Sequence, residues 1–142
     1  GYFETRIRFN VLGAGMFPAW WLYGTGNTNE IDIFEIFGGT DGQMYATIHS
    51  GGTGENVFNY NTTPTSWHVY GFDWQPSPLR WYLDGVLIHT YTGAKLGAYT
   101  TPMSLRHNYA MTPTSWSGVP DGGTPSPLYM DIDYTRYWTT KP

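Results

Sequence analysis

The 142-residue chain contains no cysteine, which excludes disulfides and thiolate chemistry and leaves the redox compartment open. Charge is scarce too. Asp, Glu, Lys and Arg make up 13% of residues and leave a net charge of −4, with no basic cluster among the aromatics. No nucleic-acid partner is expected from that balance. No run approaches the ~18 consecutive apolar residues of a membrane-spanning helix, and no membrane association is expected. The N-terminus lacks the charged-then-apolar pattern of a signal peptide, as in a cytoplasmic chain or a mature or trimmed one. The four histidines, at 49, 68, 89 and 107, show no close metal-ligand spacing. No window holds helical periodicity for three turns, and there are no internal repeats or linker-like shifts of composition.

Aromatics are abundant at 18%, alongside 18 glycines and 10 prolines, the balance of a turn-rich all-β protein. In "YFETRIRFNV", Phe3, Thr5, Ile7 and Phe9 alternate with Tyr2, Glu4, Arg6 and Arg8, the pattern of a strand covered on one face. "MFPAWWLYG" reads as a strand entered through Gly13–Gly15 and left through the polar loop "GTGNTN", and "QMYATIHSGG" as another. "GENVFNYNTTPTS" reads as a loop holding a short strand. From Trp67 to Gly93 the sequence predicts a three-strand meander with turns at "QPSP" and "DG". "TPMSLRHNYAM" and "LYMDIDYTRYW" are further strands, separated by a Pro/Gly-rich loop over 112–127 that is long enough to expect a function. Residues 1–142 therefore read as one domain of packed antiparallel sheets, a β-sandwich or jelly roll.

The stretch "NEIDIFEIFGG", residues 29–39, sets Glu30, Asp32 and Glu35 into an apolar run. A regular strand puts Glu30 and Asp32 on one face and Glu35 on the other. One extra residue around Ile33–Phe34, a β-bulge, returns Glu35 to the face of the other two. Two carboxylates flanking an acetal are the means of glycoside hydrolysis, and the close spacing lies nearer the ~5–5.5 Å of retaining enzymes than the ~6.5–9.5 Å of inverting ones. Glu30 is then the nucleophile and Glu35 the acid/base, with Asp32 between them keeping their ionisation states apart. A Ca²⁺-binding carboxylate cluster or a solvated strand face are the alternatives. The large aromatics Trp20, Trp21, Tyr23, Trp67, Trp74, Trp81, Trp116 and Trp138 are candidate platforms for sugar rings, Trp81 and Trp138 being the ones most suited to a core.

These residues carry a resemblance. "GYFETRIRF", "GMFPAWWLYG", "NEIDIFEIFGG", "TIHSGG", the meander and "LYMDIDYTRYW" resemble, in order and wording, glycoside hydrolase family sixteen, from Gly1 to about Trp138. The resemblance implies a concanavalin-like jelly roll with a concave cleft. Its E-x-D-x-x-E motif is the bulged six-residue form of laminarinases and galactanases rather than the shorter lichenase form. It implies Glu30 as nucleophile, Asp32 as the assisting acid and Glu35 as acid/base. It also implies His49 and Asn108 as cleft residues and Trp21 as a sugar-stacking aromatic. No cofactor is implied; the family's structural Ca²⁺ would use Asp133, with further ligands that this sequence lacks. Family domains begin earlier than Gly1, so an uncovered sheet edge is expected to meet a second copy or another chain.

In "PMSLRHNYAM", alternation puts Ser104, Arg106, Asn108 and Ala110 on one face, with Arg106 facing the cleft beside Asn108. Related enzymes commonly carry an apolar residue there. Arg106 would pair with the catalytic acids, bind an anionic substituent such as sulfate, or pack its stem on a Trp with its head in solvent. The expected function is a retaining endo-glycosidase acting outside the cell on a β-linked glucan or marine galactan. A non-catalytic carbohydrate-binding or structural jelly-roll module is the alternative.

Overall fold

A computed structural model describes residues 1–26, 28–39 and 42–142. Asn27, in the polar loop after the second strand, lies outside the described residues. Ten strands follow one another: β1 Tyr2–Phe9, β2 Met16–Gly24, β3 Glu30–Ile36, β4 Gln43–Ser50, β5 Thr53–Asn61, β6 His68–Trp74, β7 Leu79–Leu83, β8 Val86–Tyr91, β9 Met103–Met111 and β10 Met130–Trp138. They form two five-stranded antiparallel sheets, a back sheet ordered β10-β1-β6-β7-β8 and a cleft sheet ordered β5-β4-β3-β2-β9. Between them lies the core, in which Phe9, Phe72 and Trp81 of the back sheet meet Trp20, Ile31 and Phe34 of the cleft sheet. The sandwich expected from the alternation is therefore present.

β1 shows how the pattern works: Thr5, Ile7 and Phe9 are fully buried between the sheets. Tyr2, on the opposite face, is buried as well, beneath Tyr82 and Trp138 at ring distances of 5.7 and 5.8 Å. Between β7 and β8 the Asp84-Gly85 turn has φ of 50° and 80° at its two residues, the left-handed pair that a two-residue hairpin of this twist requires.

Two features depart from the sequence reading. The segment taken as a loop with a short strand is the nine-residue edge strand β5. Its pairing with β4 passes from Ala46↔Phe58 to Thr47↔Asn56, so Val57 is an extra residue, and both Val57 and Phe58 pack on the core. That bulge breaks the alternation, and the surrounding asparagines disguise the remainder. The second feature is a short 3-10 turn over Ala94–Ala98, too brief to leave a periodic signal.

The loop over 112–127 folds back on the start of β2. Thr112 N–H donates to the Gly15 carbonyl at 2.7 Å, and Gly15 N–H donates to the Ser117 carbonyl. Gly15 holds φ at 82°, and a Cβ there would run into the Pro120 ring, so both the backbone and the close approach require glycine.

Candidate active site

The bulge in β3 is visible in the register on both sides. Against β2 the pairs run Trp20↔Phe34 then Trp21↔Asp32; against β4 they run Asp32↔Thr47 then Glu35↔Tyr45. Ile33 has no partner on either neighbour. Its side chain and that of Phe34 both enter the core, so Ile31, Ile33, Phe34 and Ile36 face inward. Glu30, Asp32 and Glu35 are left on the open face, where all three line one groove.

Cross-strand register sets the surroundings in three rows. One row is Ser104↔Tyr23↔Glu30↔His49, the next Arg106↔Trp21↔Asp32↔Thr47, and the third Asn108↔Ala19↔Glu35↔Tyr45. Two adjoining hollows flank the acids. One, of about 380 Å³, lies toward β2 and β9 against Trp21, Asn108 and Thr112. The other, of about 360 Å³, lies toward β4 and β5 against Phe37, Tyr45, Thr47, His49, Asn56 and Trp116.

The electrostatics follow from crowding. Asp32 is 3% exposed. His49 Nε2 lies 3.1 Å from Asp32 Oδ2 and 3.9 Å from Glu30 Oε1. Burial, reinforced by the Asp32 charge, pushes the Glu30 carboxyl up to about 7, against the opposing pull of His49 and Arg106. Glu35 is also pushed up to about 7, chiefly by burial and then by Asp32, with a Thr47 hydrogen bond acting the other way. The hydrogen bond to Asp32 raises the His49 imidazole above its ordinary value. Tyr99, just after the 3-10 turn, steadies this strand by donating its hydroxyl to the His49 carbonyl at 3.1 Å. A site with two protonatable glutamates at neutral pH can give a proton from one and attack with the other.

Trp21 and Asn108 come together as the resemblance implied. Trp21 Nε1 donates to Asn108 Oδ1 at 2.7 Å, and Asn108 Nδ2 donates to the Phe17 carbonyl at 3.2 Å, which fixes the indole at the groove wall. The Arg106 guanidinium lies 4.7 Å from both the Trp21 and Tyr23 rings. Trp116, in the long loop, is 68% exposed and stands 5.9 Å from Phe37 at the other hollow. The tight turn beneath it is tied by Gly118 N–H to the Thr114 carbonyl and by Trp116 N–H to Thr114 Oγ1.

The remaining tryptophans do not line the groove, which corrects the platform reading for Trp20, Trp67 and Trp74, whereas Trp81 sits in the core as expected. Trp20 and Trp81 are buried in the core. Trp67 lies beneath Arg6 and Arg8, Trp74 beside Phe3, and Trp138 beside Tyr2. Phe37, Tyr45, Thr47 and Asn56 were missed. Counting back by two from His49 finds Thr47 and Tyr45, and counting on from Glu35 finds Phe37, whereas Asn56 sits on the strand read as a loop.

Glu30, Asp32 and His49 present donor atoms within 4.8 Å of one another, the one grouping among the described residues with a metal-like donor set. Asp133 does not fit the calcium role implied by the resemblance: its Oδ2 lies 2.7 Å from Arg6 Nη1, so a guanidinium already neutralises it.

Two antiparallel sheets with three carboxylates and aromatic walls on the open face define a jelly-roll protein of the glycosidase type. The chain belongs to the glycosyl hydrolases of family 16, whose sequence profile matches residues 1–136. It is 31% identical to a β-glucanase of Bacillus subtilis over 145 aligned positions, covering 96% of this chain and 57% of that protein. It is 35% identical to a β-glucanase of Paenibacillus polymyxa over 112, covering 77% and 45%. Among solved structures it superposes on an endo-β-1,3-glucanase from Pyrococcus furiosus with a TM-score of 0.80 at 30% identity, covering 95% of this chain and 59% of that one. The chain thus spans about half the length of the curated relatives it matches.

Proposed function

We propose that this chain carries the catalytic centre of a retaining endo-glycosidase acting on a β-linked polysaccharide, a β-1,3- or mixed-linkage glucan before a galactan. The observation that carries the reading is the bulge that gathers Glu30, Asp32 and Glu35 on one face, with both glutamates titrating near neutrality. The names of the β-glucanase and endo-β-1,3-glucanase relatives support the choice of glucan.

In the first step the Glu30 carboxylate attacks the anomeric carbon while Glu35 gives its proton to the departing glycosidic oxygen. The bond to the leaving sugar breaks and an ester to Glu30 forms. In the second, Glu35 takes a proton from water, whose oxygen displaces Glu30 from the same carbon. Two inversions leave the anomeric configuration retained. Asp32, within hydrogen-bond distance of His49, lies beside both glutamates and raises the affinity of each for a proton. Trp21, Trp116 and Asn108 bind the sugars, and no step calls for a cofactor.

A substrate of this kind is met outside the cell, which supports a secreted protein. Unpaired edges at β10 and β5 leave room for a second copy or a covering chain. The test is a reducing-sugar assay over laminarin, mixed-linkage β-glucan, agarose, porphyran and κ-carrageenan, with proton NMR of the first product. Release of β-configured product from a β-linked chain is the expected result. Binding without release would leave a carbohydrate-binding module, and an inverted product would remove Glu30 as nucleophile.

A further inference from the structure

Glycine at position 54 has no local backbone reason to be there. It lies within the edge strand β5, its φ is outside the left-handed region, and the extra residue of the β4–β5 pairing is Val57. Glycine weakens a strand, and within one it marks the close approach of another group. The group here is His49. The two residues are cross-strand partners, and a Cβ at position 54 would stand 2.9 Å from both Nδ1 and Cε1 of the imidazole, closer than a Cβ contact allows. The ring therefore occupies the space that any other side chain at 54 would take. Its Nε2 is turned to the acids, 3.1 Å from Asp32 Oδ2 and 3.9 Å from Glu30 Oε1. Among the described residues these are the carboxylates within ion-pair distance of His49; Glu35 stands opposite Tyr45, four residues earlier on β4. Glu30, His49 and Gly54 thus form one row across three strands.

We propose that Gly54 is a positioning residue for the reaction: the space left by its missing side chain seats the His49 ring against Asp32 and Glu30, where the imidazolium favours an ionised Glu30 and leaves the proton on Glu35. The inference rests on the glycosidase reading of this cleft and adds what keeps its two glutamates distinct. Both are pushed up to about 7 by burial and by Asp32, so those two influences do not decide which one attacks. His49 breaks the symmetry by distance, since a charge acts most strongly on its nearest neighbour. The hydrogen bond to Asp32 favours the charged imidazole. Around the ring, β3 supplies Glu30, Asp32 and Glu35, and Tyr99 reaches only the His49 carbonyl. Glu55 of β5 accepts from the Tyr91 hydroxyl at 3.2 Å, and Lys95 donates to the Thr53 carbonyl at 2.6 Å. Arg106 pulls on Glu30 as well, but from the β2–β9 side and more weakly than His49.

The test compares wild type, Gly54→Ala, His49→Gln and the double variant. Proton NMR follows the pH titration of the His49 imidazole, whose signal is assigned by its loss in His49→Gln. The pH profile of kcat/KM is measured on laminarin or mixed-linkage β-glucan, whichever is turned over. In Gly54→Ala the imidazole midpoint should fall toward its ordinary value of 6.5. The acid limb of the profile should move up by about one pH unit, because Glu30 without its nearby cation stays protonated to higher pH. On that limb kcat/KM falls about tenfold. The alkaline limb, set by Glu35, should move less. The double variant should be no worse than His49→Gln alone, since both changes act through one contact. Position 54 is exposed on an edge strand, and circular dichroism of each variant checks the fold. Additive losses, or a Gly54→Ala protein whose imidazole titration and acid limb match the wild type, overturn the proposal and leave the glycosidase reading standing. If neither glucan is turned over, the glucan reading falls and the proposal with it.

Discussion

Trp81 of the back sheet donates a buried hydrogen bond from Nε1 to the carbonyl of Ile33, 3.1 Å away on the cleft sheet. Ile33 is the residue that the bulge leaves without a partner, so the far sheet satisfies the acceptor that the near ladder gives up. Trp81→Phe would keep ring packing against Phe72 and Phe58 but orphan that carbonyl. The expected loss is about 1–3 kcal/mol in denaturant unfolding. Because the bulge aims Glu35, kcat should fall more than KM rises; a change confined to stability would separate Trp81 from the chemistry.

If Glu35 is the proposed acid/base, Glu35→Gln should lower kcat/KM by roughly 10²–10⁴-fold. Glu30→Gln should abolish turnover while oligosaccharide affinity persists. Reducing-sugar release and titration calorimetry read the two apart.

In the proposed reaction Glu35 carries a proton that Glu30 does not, and both glutamates sit near 7. A bell-shaped profile of kcat/KM with its maximum near neutrality is expected. Stability has a definite sign. A carboxyl whose folded pKa is raised holds its proton better in the folded state, so its contribution is full below the ordinary value of 4.5 and is lost as pH rises through about 7. The thermal midpoint of the wild type should decline across that interval, and that of the Glu30→Gln, Glu35→Gln double variant should decline less. Parallel curves would mean that the burial costs assigned here are absent.

Trp116→Ala should weaken oligosaccharide binding by about two- to tenfold, the worth of one aromatic face, with little change in the melting temperature because the ring is exposed. Gly15→Ala should reach the same ring indirectly. It strains a residue at φ 82° and pushes on Pro120, loosening the loop that carries Trp116. Proteolysis within 112–127 should then quicken.

The acids and their bulge were legible because two adjacent inward residues, Ile33 and Phe34, sit between polar positions that must share a face. The faces of β9 were legible for the same reason: His107 stacks on Trp20 inside, while Asn108 lines the groove. The tryptophans were not. Alternation says which residues share a face, but not whether that face meets the other sheet, the groove or the back surface. β5 was hidden by a bulge without a charge pattern to betray it, and Phe37 and Tyr45 join the groove only through pairing that lies far away in sequence. For Arg106 the residues left three uses open, and its contact with the Trp21 and Tyr23 rings together with its exposure matches the one that packs it on a tryptophan.

The bulge also bears on how this strand can change length. Removing one residue from an ordinary strand flips every side chain beyond the cut to the opposite face. Here Ile33 and Phe34 both point inward, so loss of either restores plain alternation and leaves Glu30, Asp32 and the glutamate now at position 35 together in the groove. A deletion at that point removes one core side chain and preserves the chemistry's phase, whereas a deletion between Glu30 and Asp32 would throw Glu30 onto the face opposite the other two. The strand therefore has a single place at which it tolerates a change of one residue in length, and it lies between the second and third of its three acids.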